Sequence, residues 1–396
     1  MAPRTALPLI ALAAVAAYAP ALHIPLIADD FPNIAQAITW GAPEGLRTIL
    51  GDPQFRLRAT SYWTMFALWQ AGELAPWVYH TASLVLHIFN AWLVFAIAST
   101  WESTRPAAPW AALFFAVHEG HQEAVMWFSA VNELLLCFFG LASLWCWLRR
   151  REALSAVLFA LALLSKESAV VLLPLFFLVT ERARWKRLAP HAALVALAAA
   201  SVLQSRANSF RFHDGSFSLS APFWDTWPRS MARLLWFWGW AAAAAVWLAR
   251  DRQLRTLAGR ALAWMGIALL PYSFLTYTDR IPSRQTYLAS AGLALLVGVA
   301  AARIPGRRLT AAVLAAILIS NIGYLWTKKR SQFLERAEPT AQLIAFAEHT
   351  RGPIPVRCFP LPRIVAEEAV HLSTGRPPGS LVWDPAGAAG FCYQAK

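Results

Sequence analysis

Long apolar runs alternate with short polar or basic stretches through most of the chain. Runs of this kind are typical of helices that cross a membrane, which need about 20 mostly apolar residues. The pattern predicts about eleven spans. They are placed at about residues 5–27, 77–98, 108–117, 124–148, the two halves of 153–180, 188–204, 229–249, 261–277, 287–302 and 309–326.

The stretch after the first span predicts helices that lie along the membrane surface. Segments 34–50 and 55–74 interleave aromatic and apolar residues with polar ones, and Gly51-Asp52-Pro53 separates them. Amphipathic helices of this kind settle at an interface rather than crossing it. The first outer loop is therefore expected to contain interfacial helices over 34–74.

Residues 153–180 are predicted to form two short helices. A single helix would put the basic clusters at 149–151 and 181–187 on opposite sides, against the positive-inside rule. A break at Ser165-Lys166-Glu167 puts both clusters inside. Each half then reaches only ~18 Å at ~1.5 Å per residue, against a hydrocarbon core of ~30 Å. The polar tip is therefore expected in a thinned or water-filled cavity.

Composition supports a polytopic helical membrane protein. The 396 residues are 58% hydrophobic and only 14% charged, whereas ordinary soluble domains carry about 25% charged residues. Twenty Trp and twenty-three Phe fit aromatic belts at two interfaces. The net charge of +13 lies in short clusters between apolar runs. Such clusters indicate topology and contact with anionic lipid, so no nucleic-acid partner is expected.

The basic clusters also predict which loops face the cytoplasm. Arg149–Arg151, Arg182–Arg187 and Arg303–Arg308 are expected inside, with Ser165–Ser168 and the chain after Lys328 outside. The basic run at 328–330, just beyond the last span, departs from this rule. The first span shows no cleavage site and is expected to be retained in the membrane, which for a bacterial protein is the inner membrane.

The tail at 328–396 is predicted to be a small extracytoplasmic α/β cap that follows a transmembrane domain at 1–327. Its pattern indicates strands at 354–359 and 380–384 and helices at 339–350 and 364–372. Cys358 and Cys392 both lie in this tail, where an oxidising compartment would allow a disulfide. Cys137 and Cys146 lie within a predicted span and are expected to be small apolar residues.

Two adjacent carboxylates, Asp29 and Asp30, stand where the first span leaves the membrane. Repulsion between like charges commonly raises the pKa of one of such a pair, which suits a group that accepts a proton at neutral pH. The other unusual polar groups are predicted on the same face; they are His118, Glu119, His121, Glu123, Lys166, Glu167, Asp279, Arg280 and Arg284.

Ionisable groups beside membrane spans are costly and tend to face an internal cavity. Carboxylates, imidazoles and arginines that converge there fit group transfer from a lipid phosphate, in which a carboxylate takes the proton of the acceptor and cations balance the charge of the departing phosphate. A metal site is the alternative for His118, His121 and Glu123, but this pattern lacks a closed ligand set. No cofactor is therefore expected, and a divalent metal is not indicated.

Six segments resemble the multispanning glycosyltransferases of the GT-C class, in particular bacterial relatives of the transmembrane and tetratricopeptide-repeat O-mannosyltransferases. They occur in the family's order over residues 1–302 and read ADDFPNI (28–34), FRLRATSYW (55–63), PWVYHTASLVLHIFNAWLV (76–94), ALFFAVHEGHQEAVMWFSAVNELLL (112–136), LLSKESAVVLLPLFFL (163–178) and RQTYLASAGLALL (284–296).

The resemblance implies a GT-C fold, a polyprenyl-phosphate sugar donor and inverting glycosyl transfer on the extracytoplasmic face. It implies that the base lies in the acidic motif, at Asp29 or Asp30, with Asp29 matching the first acid. Two departures stand out: Leu57 replaces the proline that often follows Arg56, and no tetratricopeptide repeats follow the last span. The acceptor class, whether protein, lipid or glycan, therefore stays open.

The sequence thus predicts a membrane glycosyltransferase with Asp29 or Asp30 as base. Arg280 and Arg284, with Lys166 as a further candidate, are expected to bind the donor phosphate. The acceptor side is assigned to Arg56, Arg58, His118, Glu119, His121, Glu123 and Glu167. The alternatives are a transporter or lipid flippase, which would need broken helices and repeat symmetry at mid-membrane, and a non-catalytic assembly protein.

Overall fold

The computed structural model describes residues 3–41, 43–205, 217–276, 281–383 and 390–395. The described chain is mostly α-helical. Its helices are α1 Pro3–Tyr18, α2 Asp30–Gly41, α3 Pro43–Gly51, α4 Ala59–Gly72, α5 Pro76–Ala98, α6 Ala108–Val117, α7 Gln122–Met126, α8 Val131–Leu148, α9 Glu152–Leu163, α10 Leu172–Val179, α11 Ala189–Ser205, α12 Phe223–Leu248, α13 Arg252–Leu269, α14 Ser290–Ala301, α15 Arg307–Tyr324, α16 Arg330–His349 and α17 Arg363–Thr374.

Seven of the described helical segments are long and apolar enough to cross a membrane, and the protein is an integral multi-pass membrane protein. The remaining predicted spans are helices too short to cross a full hydrocarbon core alone. They are α6, α9, α14 and the segment Glu167–Val179, which contains α10. The long spans and these short helices pack together around one large apolar core.

The predicted break within 153–180 is confirmed. Helix α9 ends at Leu163 and a short 3-10 turn begins at Glu167. The tip between them contacts the start of α4, where Thr60 N donates to Leu164 O at 3.1 Å. At the other end of these helices, Glu152 pairs with Arg184 and Arg187, each at 3.2 Å. The two neighbouring basic clusters therefore lie at the same end of the bundle.

The loop between the first two spans folds into helices α2, α3 and α4, broken at Gly51-Asp52-Pro53 as the sequence predicts. These helices share a second apolar core, to which Phe31, Ile34 and Met65 contribute. Ala369 of α17 is buried in the same core. The C-terminal segment therefore packs directly on α2, the helix that begins at Asp30.

The tail forms a three-stranded parallel sheet in the order β2–β1–β3, with β1 Ile354–Cys358, β2 Leu381–Trp383 and β3 Phe391–Cys392. Strand β3 was not predicted from the sequence. Cys358 and Cys392 are joined by a disulfide between β1 and β3, with their Cα atoms 4.5 Å apart. No helix end separates the last span from the tail, because a π-turn at Leu325–Lys329 connects α15 to α16.

Helix α14 packs very closely on α6, and this contact fixes the chain on either side of the candidate site. At Gly298 a Cβ atom would lie 2.8 Å from the carbonyl oxygen of Ala107, so only glycine allows this approach. Small residues let membrane helices pack backbone to backbone in this way. At the other end of this helix pair the loop that follows α6 meets the start of α14, where His121 Nε2 lies 2.6 Å from Ser290 Oγ.

Candidate active site

The acidic motif lies in a tight turn between the first span and α2. Asp30 N donates to Ile27 O at 2.9 Å, and Ala28 has a φ of 43°. A positive φ is unfavourable for a residue with a side chain, and such strain persists only where the surroundings hold it. The turn points the two neighbouring carboxylates into different environments.

Asp30 is completely buried and is held by three donors. Its Oδ2 accepts from Ile27 N at 2.7 Å, and its Oδ1 accepts from Ser129 N at 2.7 Å and Ser129 Oγ at 2.6 Å. Burial raises the pKa of Asp30 to about 7, although these hydrogen bonds act to lower it. Asp30 therefore fastens the first loop to the segment before α8.

Asp29 is exposed, and its carboxylate accepts no hydrogen bond from the described residues. Partial desolvation by the surrounding protein raises its pKa, and the positive charge of Arg284 lowers it in part. An exposed carboxylate with a raised pKa can accept a proton from a bound hydroxyl. Of the two acids, Asp29 is the one with this freedom.

Arg284 reaches the site from the turn before α14. Its guanidinium carbon lies 4.9 Å from the centre of the Trp127 ring, and its Nη1 lies 3.8 Å from Glu123 Oε2. Its backbone N–H donates to the same oxygen at 3.2 Å. Arg336 of α16 pairs with the other oxygen, Oε1, at 3.6 Å. Burial acts to raise the pKa of Glu123, but these positive and hydrogen-bonding neighbours hold it below its usual range.

A second polar cluster surrounds the tip between α9 and α10. Lys166 forms a buried ion pair with Glu133, which also accepts from Tyr272 OH at 3.0 Å. Ser168 Oγ lies 2.6 Å from the same Tyr272 oxygen. Glu133 is only four residues beyond Ser129, so one short segment joins this cluster to the acidic motif.

The two arginines predicted on the acceptor side have different surroundings. Arg58 makes a two-point contact with Glu167, at 3.0 and 3.3 Å. Arg56 donates to the backbone oxygens of Gly51 and Asp52 at 2.9 and 3.3 Å, which closes the end of α3. Arg58 and Glu167 therefore border the Lys166 cluster, and Arg56 stabilises the loop.

The two histidines of the polar patch turn towards the protein interior. His121 is fully buried, and its Nε2 lies 2.6 Å from Ser290 Oγ. Its ring packs on those of His87 and Tyr287, with centroids 5.3 and 4.5 Å away. His118 stacks on Phe114, with 5.0 Å between the ring centroids. Among the described residues no group of three His, Cys, Asp or Glu side chains is arranged to hold a metal.

Glu119 and His118 border a cavity between α6, α12, α14 and α15. Burial raises the pKa of Glu119, and the charges of Lys329 and Arg233 lower it in part. The cavity has a volume of about 180 Å³. Its walls are mainly apolar and aromatic; they include Phe114, Leu235, Trp236, Trp238, Leu293 and Tyr324. Lys329, which belongs to the basic run at 328–330 that departs from the positive-inside rule, thus lies close enough to Glu119 to affect its pKa.

The structure brings Asp29, Asp30, Glu123 and Arg284 into one neighbourhood and gathers Arg58, Lys166 and Glu167 into an adjoining one. Arg280 and Asp279 lie outside the described residues. Sequence reasoning missed Ser129, Trp127, Glu133, Tyr272 and Arg336. Glu133 carried a signal, because an acid inside an apolar run is rare and tends to face a partner.

The arrangement of the described helices is that of the GT-C glycosyltransferases, which confirms the predicted fold. The structure is similar to ArnT from Cupriavidus metallidurans, with a TM-score of 0.59 and 13% identity over 93% of this chain and 85% of that one. It is also similar to the oligosaccharyltransferase AglB from Archaeoglobus fulgidus, with a TM-score of 0.56 and 11% identity over 96% of this chain and 64% of that one.

A sequence relative belongs to the group suggested by the motifs. An alignment of 110 residues, which covers 26% of this chain, is 35% identical to the protein O-mannosyl-transferase Tmtc1 of Drosophila melanogaster. The alignment spans 13% of the length of Tmtc1. No protein-family model matches the chain.

Proposed function

We propose that this protein is a membrane glycosyltransferase that moves a sugar from a polyprenyl-phosphate donor to an acceptor on the extracytoplasmic face. The observation that carries the proposal is that one exposed acid, Asp29, lies within electrostatic reach of Arg284 within a GT-C fold. The two groups supply what glycosyl transfer needs, a proton acceptor and a cation for the leaving phosphate. Residues 1–327 would carry the reaction, and 328–396 would form a cap beside it.

Asp29 would act as the general base. Its carboxylate takes the proton of the acceptor hydroxyl while the oxygen attacks the anomeric carbon. The bond from that carbon to the phosphate oxygen breaks on the opposite face, so polyprenyl phosphate leaves and the anomeric configuration inverts. The raised pKa of Asp29 supports this role, because a base with a pKa closer to neutrality matches a proton transfer near neutral pH.

Arg284 would hold the donor phosphate, together with Arg280 on the sequence argument. The planar guanidinium of arginine can bind two phosphate oxygens at once. Trp127 lies against Arg284 and would keep the group oriented. A phosphate role for Lys166 would require it to leave its buried pair with Glu133, so Arg284 is the stronger candidate.

The isoprene units of the donor nearest its phosphate would occupy the apolar cavity beside Glu119. Its aromatic and aliphatic walls suit an isoprenoid chain, and Lys329 and Arg233 lie near its polar end. The structural neighbours support a lipid-linked donor, since ArnT was solved with undecaprenyl phosphate and AglB with a dolichol-phosphate and a peptide. The acceptor remains one of protein, lipid or glycan.

The test is turnover of a panel of polyprenyl-phosphate sugars by the purified protein in lipid nanodiscs. Release of polyprenyl phosphate with formation of an inverted product is expected for at least one sugar, and Arg284→Ala should weaken donor binding. In this proposal arginines balance the phosphate charge, so EDTA should leave the rate unchanged. Movement of an intact lipid across the bilayer without bond cleavage would favour a flippase instead.

A further inference from the structure

Glu123 is shared between two arginines from distant parts of the chain. One carboxylate oxygen faces Arg284, which precedes α14, and the other faces Arg336 on α16. The Glu123 side chain is only 15% exposed, whereas that of Arg336 is 51% exposed. The negative charge of Glu123 is therefore shared between Arg284, in the candidate donor site, and Arg336, on the helix that leads into the cap.

Arg336 sits on a well-anchored part of that helix. Phe333 and Ala337, on either side of it, are buried in the large membrane core. Further along the same helix, Leu343 and Ala347 are buried in the core of the cap, and α17 of the cap packs on α2. The guanidinium of Arg336 is thus held beside Glu123 by the same helix that carries the cap.

We propose that Arg336 is a positioning residue that acts through Glu123 and couples the C-terminal cap to the donor site; this rests on the function proposed above for Arg284. Arg336 neutralises part of the Glu123 charge. With that charge shared, the Arg284 guanidinium is less strongly bound by Glu123 and is available to a phosphate. A cap that shifts α16 would alter donor affinity by changing this division.

Arg284 and Arg336 compete for the single carboxylate of Glu123. Without Arg336, Glu123 would bind Arg284 more tightly and would also repel an approaching phosphate. Loss of a partly exposed ion pair typically changes an equilibrium constant by up to about fivefold. We therefore expect Arg336→Gln to weaken binding of a lipid phosphate by about three- to fivefold, with a smaller effect at high salt.

A double-mutant cycle tests this mechanism. The probe is undecaprenyl phosphate, titrated into detergent-solubilised full-length protein, and the variants are Arg336→Gln, Glu123→Gln and the pair. Gln at 123 keeps an oxygen for the Arg284 N–H but removes the charge. If Arg336 acts through Glu123, its substitution should have no further effect in the Glu123→Gln background. Arg336→Lys should restore most of the affinity, and Arg330→Gln, at the start of the same helix, is the matched control.

Two results would overturn the proposal. Equal weakening by Arg336→Gln with and without Glu123 would mean that Arg336 acts on the ligand directly. Unchanged affinity in a folded Arg336→Gln variant would mean that the coupling does not exist. Failure of the proposed function is distinguished by Arg284→Ala: if that variant binds undecaprenyl phosphate normally, Arg284 does not hold the phosphate, whatever the cycle shows.

Discussion

Ser129 binds the carboxylate of Asp30 through both its backbone N–H and its hydroxyl, although 99 residues separate the two in the chain. This contact uses one oxygen of Asp30, and Ile27 N–H occupies the other. Asp29, the next residue back, has no such partner among the described residues. Two adjacent acids thus have different surroundings: Asp30 is bound within the protein, and Asp29 is exposed.

Asp29→Asn should abolish most of the transfer activity while the protein stays folded. Asn keeps the size of the side chain but cannot accept the acceptor proton, and general-base catalysis is typically worth about 10²- to 10⁴-fold. The measurement is kcat together with the affinity for undecaprenyl phosphate, which should stay within about twofold. Near-normal kcat in a folded Asp29→Asn protein would remove Asp29 from the mechanism.

The pH dependence of wild-type turnover gives a second check on Asp29. The base must be ionised, and its pKa is raised from the ordinary value of 3.8. The rate should therefore fall as pH falls through this raised pKa, and the fall should begin at a higher pH than for an ordinary aspartate. The residual activity of Asp29→Asn should lack that limb of the profile.

Asp30→Asn should lower the stability of the folded protein and not only its transfer activity. One amide NH₂ would face either the Ile27 N–H or the Ser129 donors, and a buried donor left without an acceptor costs about 1–3 kcal/mol. Thermal unfolding in one detergent at about pH 8, where Asp30 is ionised, measures this, with Asp29→Asn as the control for loss of an acid. A melting temperature equal to that of Asp29→Asn would contradict the structural role.

The same residue predicts how stability changes with pH. The folded-state pKa of Asp30 is about 7, above the ordinary 3.8, so the folded protein binds the proton more tightly than the unfolded chain. Its contribution is therefore complete below about pH 4 and is lost as pH rises through about 7. Asp30→Asn should show a smaller drop in melting temperature between pH 4.5 and 7.5 than wild type.

Lys166→Met should unfold or strongly destabilise the protein. Removing one partner of a buried pair leaves the other charge uncompensated, at a cost of about 3–5 kcal/mol. Adding Glu133→Gln should recover part of that loss, since no isolated charge remains. If instead Lys166→Met keeps its stability and loses affinity for undecaprenyl phosphate, Lys166 belongs to the donor site and not to a structural pair.

Cysteine labelling in intact cells tests the orientation in the membrane. Val382 is 42% exposed on the cap, and Arg149 is exposed at the end of α8. A membrane-impermeant maleimide should modify Val382→Cys but not Arg149→Cys. The native background is low, because Cys137 and Cys146 are buried and the other two cysteines form a disulfide. The reverse labelling pattern would invert the proposed topology.

Much of the fold follows from local sequence. Apolar runs determine where the spans lie, and a polar tip flanked by two basic clusters determines the break between α9 and α10. The strands and helices of the cap were also predicted, since alternation and turn residues act over a few positions. The exception is β3, because its two residues make too short a pattern to distinguish from a loop.

For the candidate site, the sequence predicted which residue types take part but not how they are arranged. Two adjacent acids and an arginine before α14 indicated group transfer. The local sequence does not show which of Asp29 and Asp30 is buried. It also does not show that Lys166 pairs with Glu133 or that His121 faces the interior. Those outcomes depend on contacts between residues that lie far apart along the chain, such as Arg336 with Glu123. Helix packing creates these contacts and decides which polar groups lose water, and a buried polar group must then find a partner. The sequence by itself therefore determined the class of protein and the inventory of its chemistry, whereas the tertiary structure decided which of the two acids is buried and which is exposed.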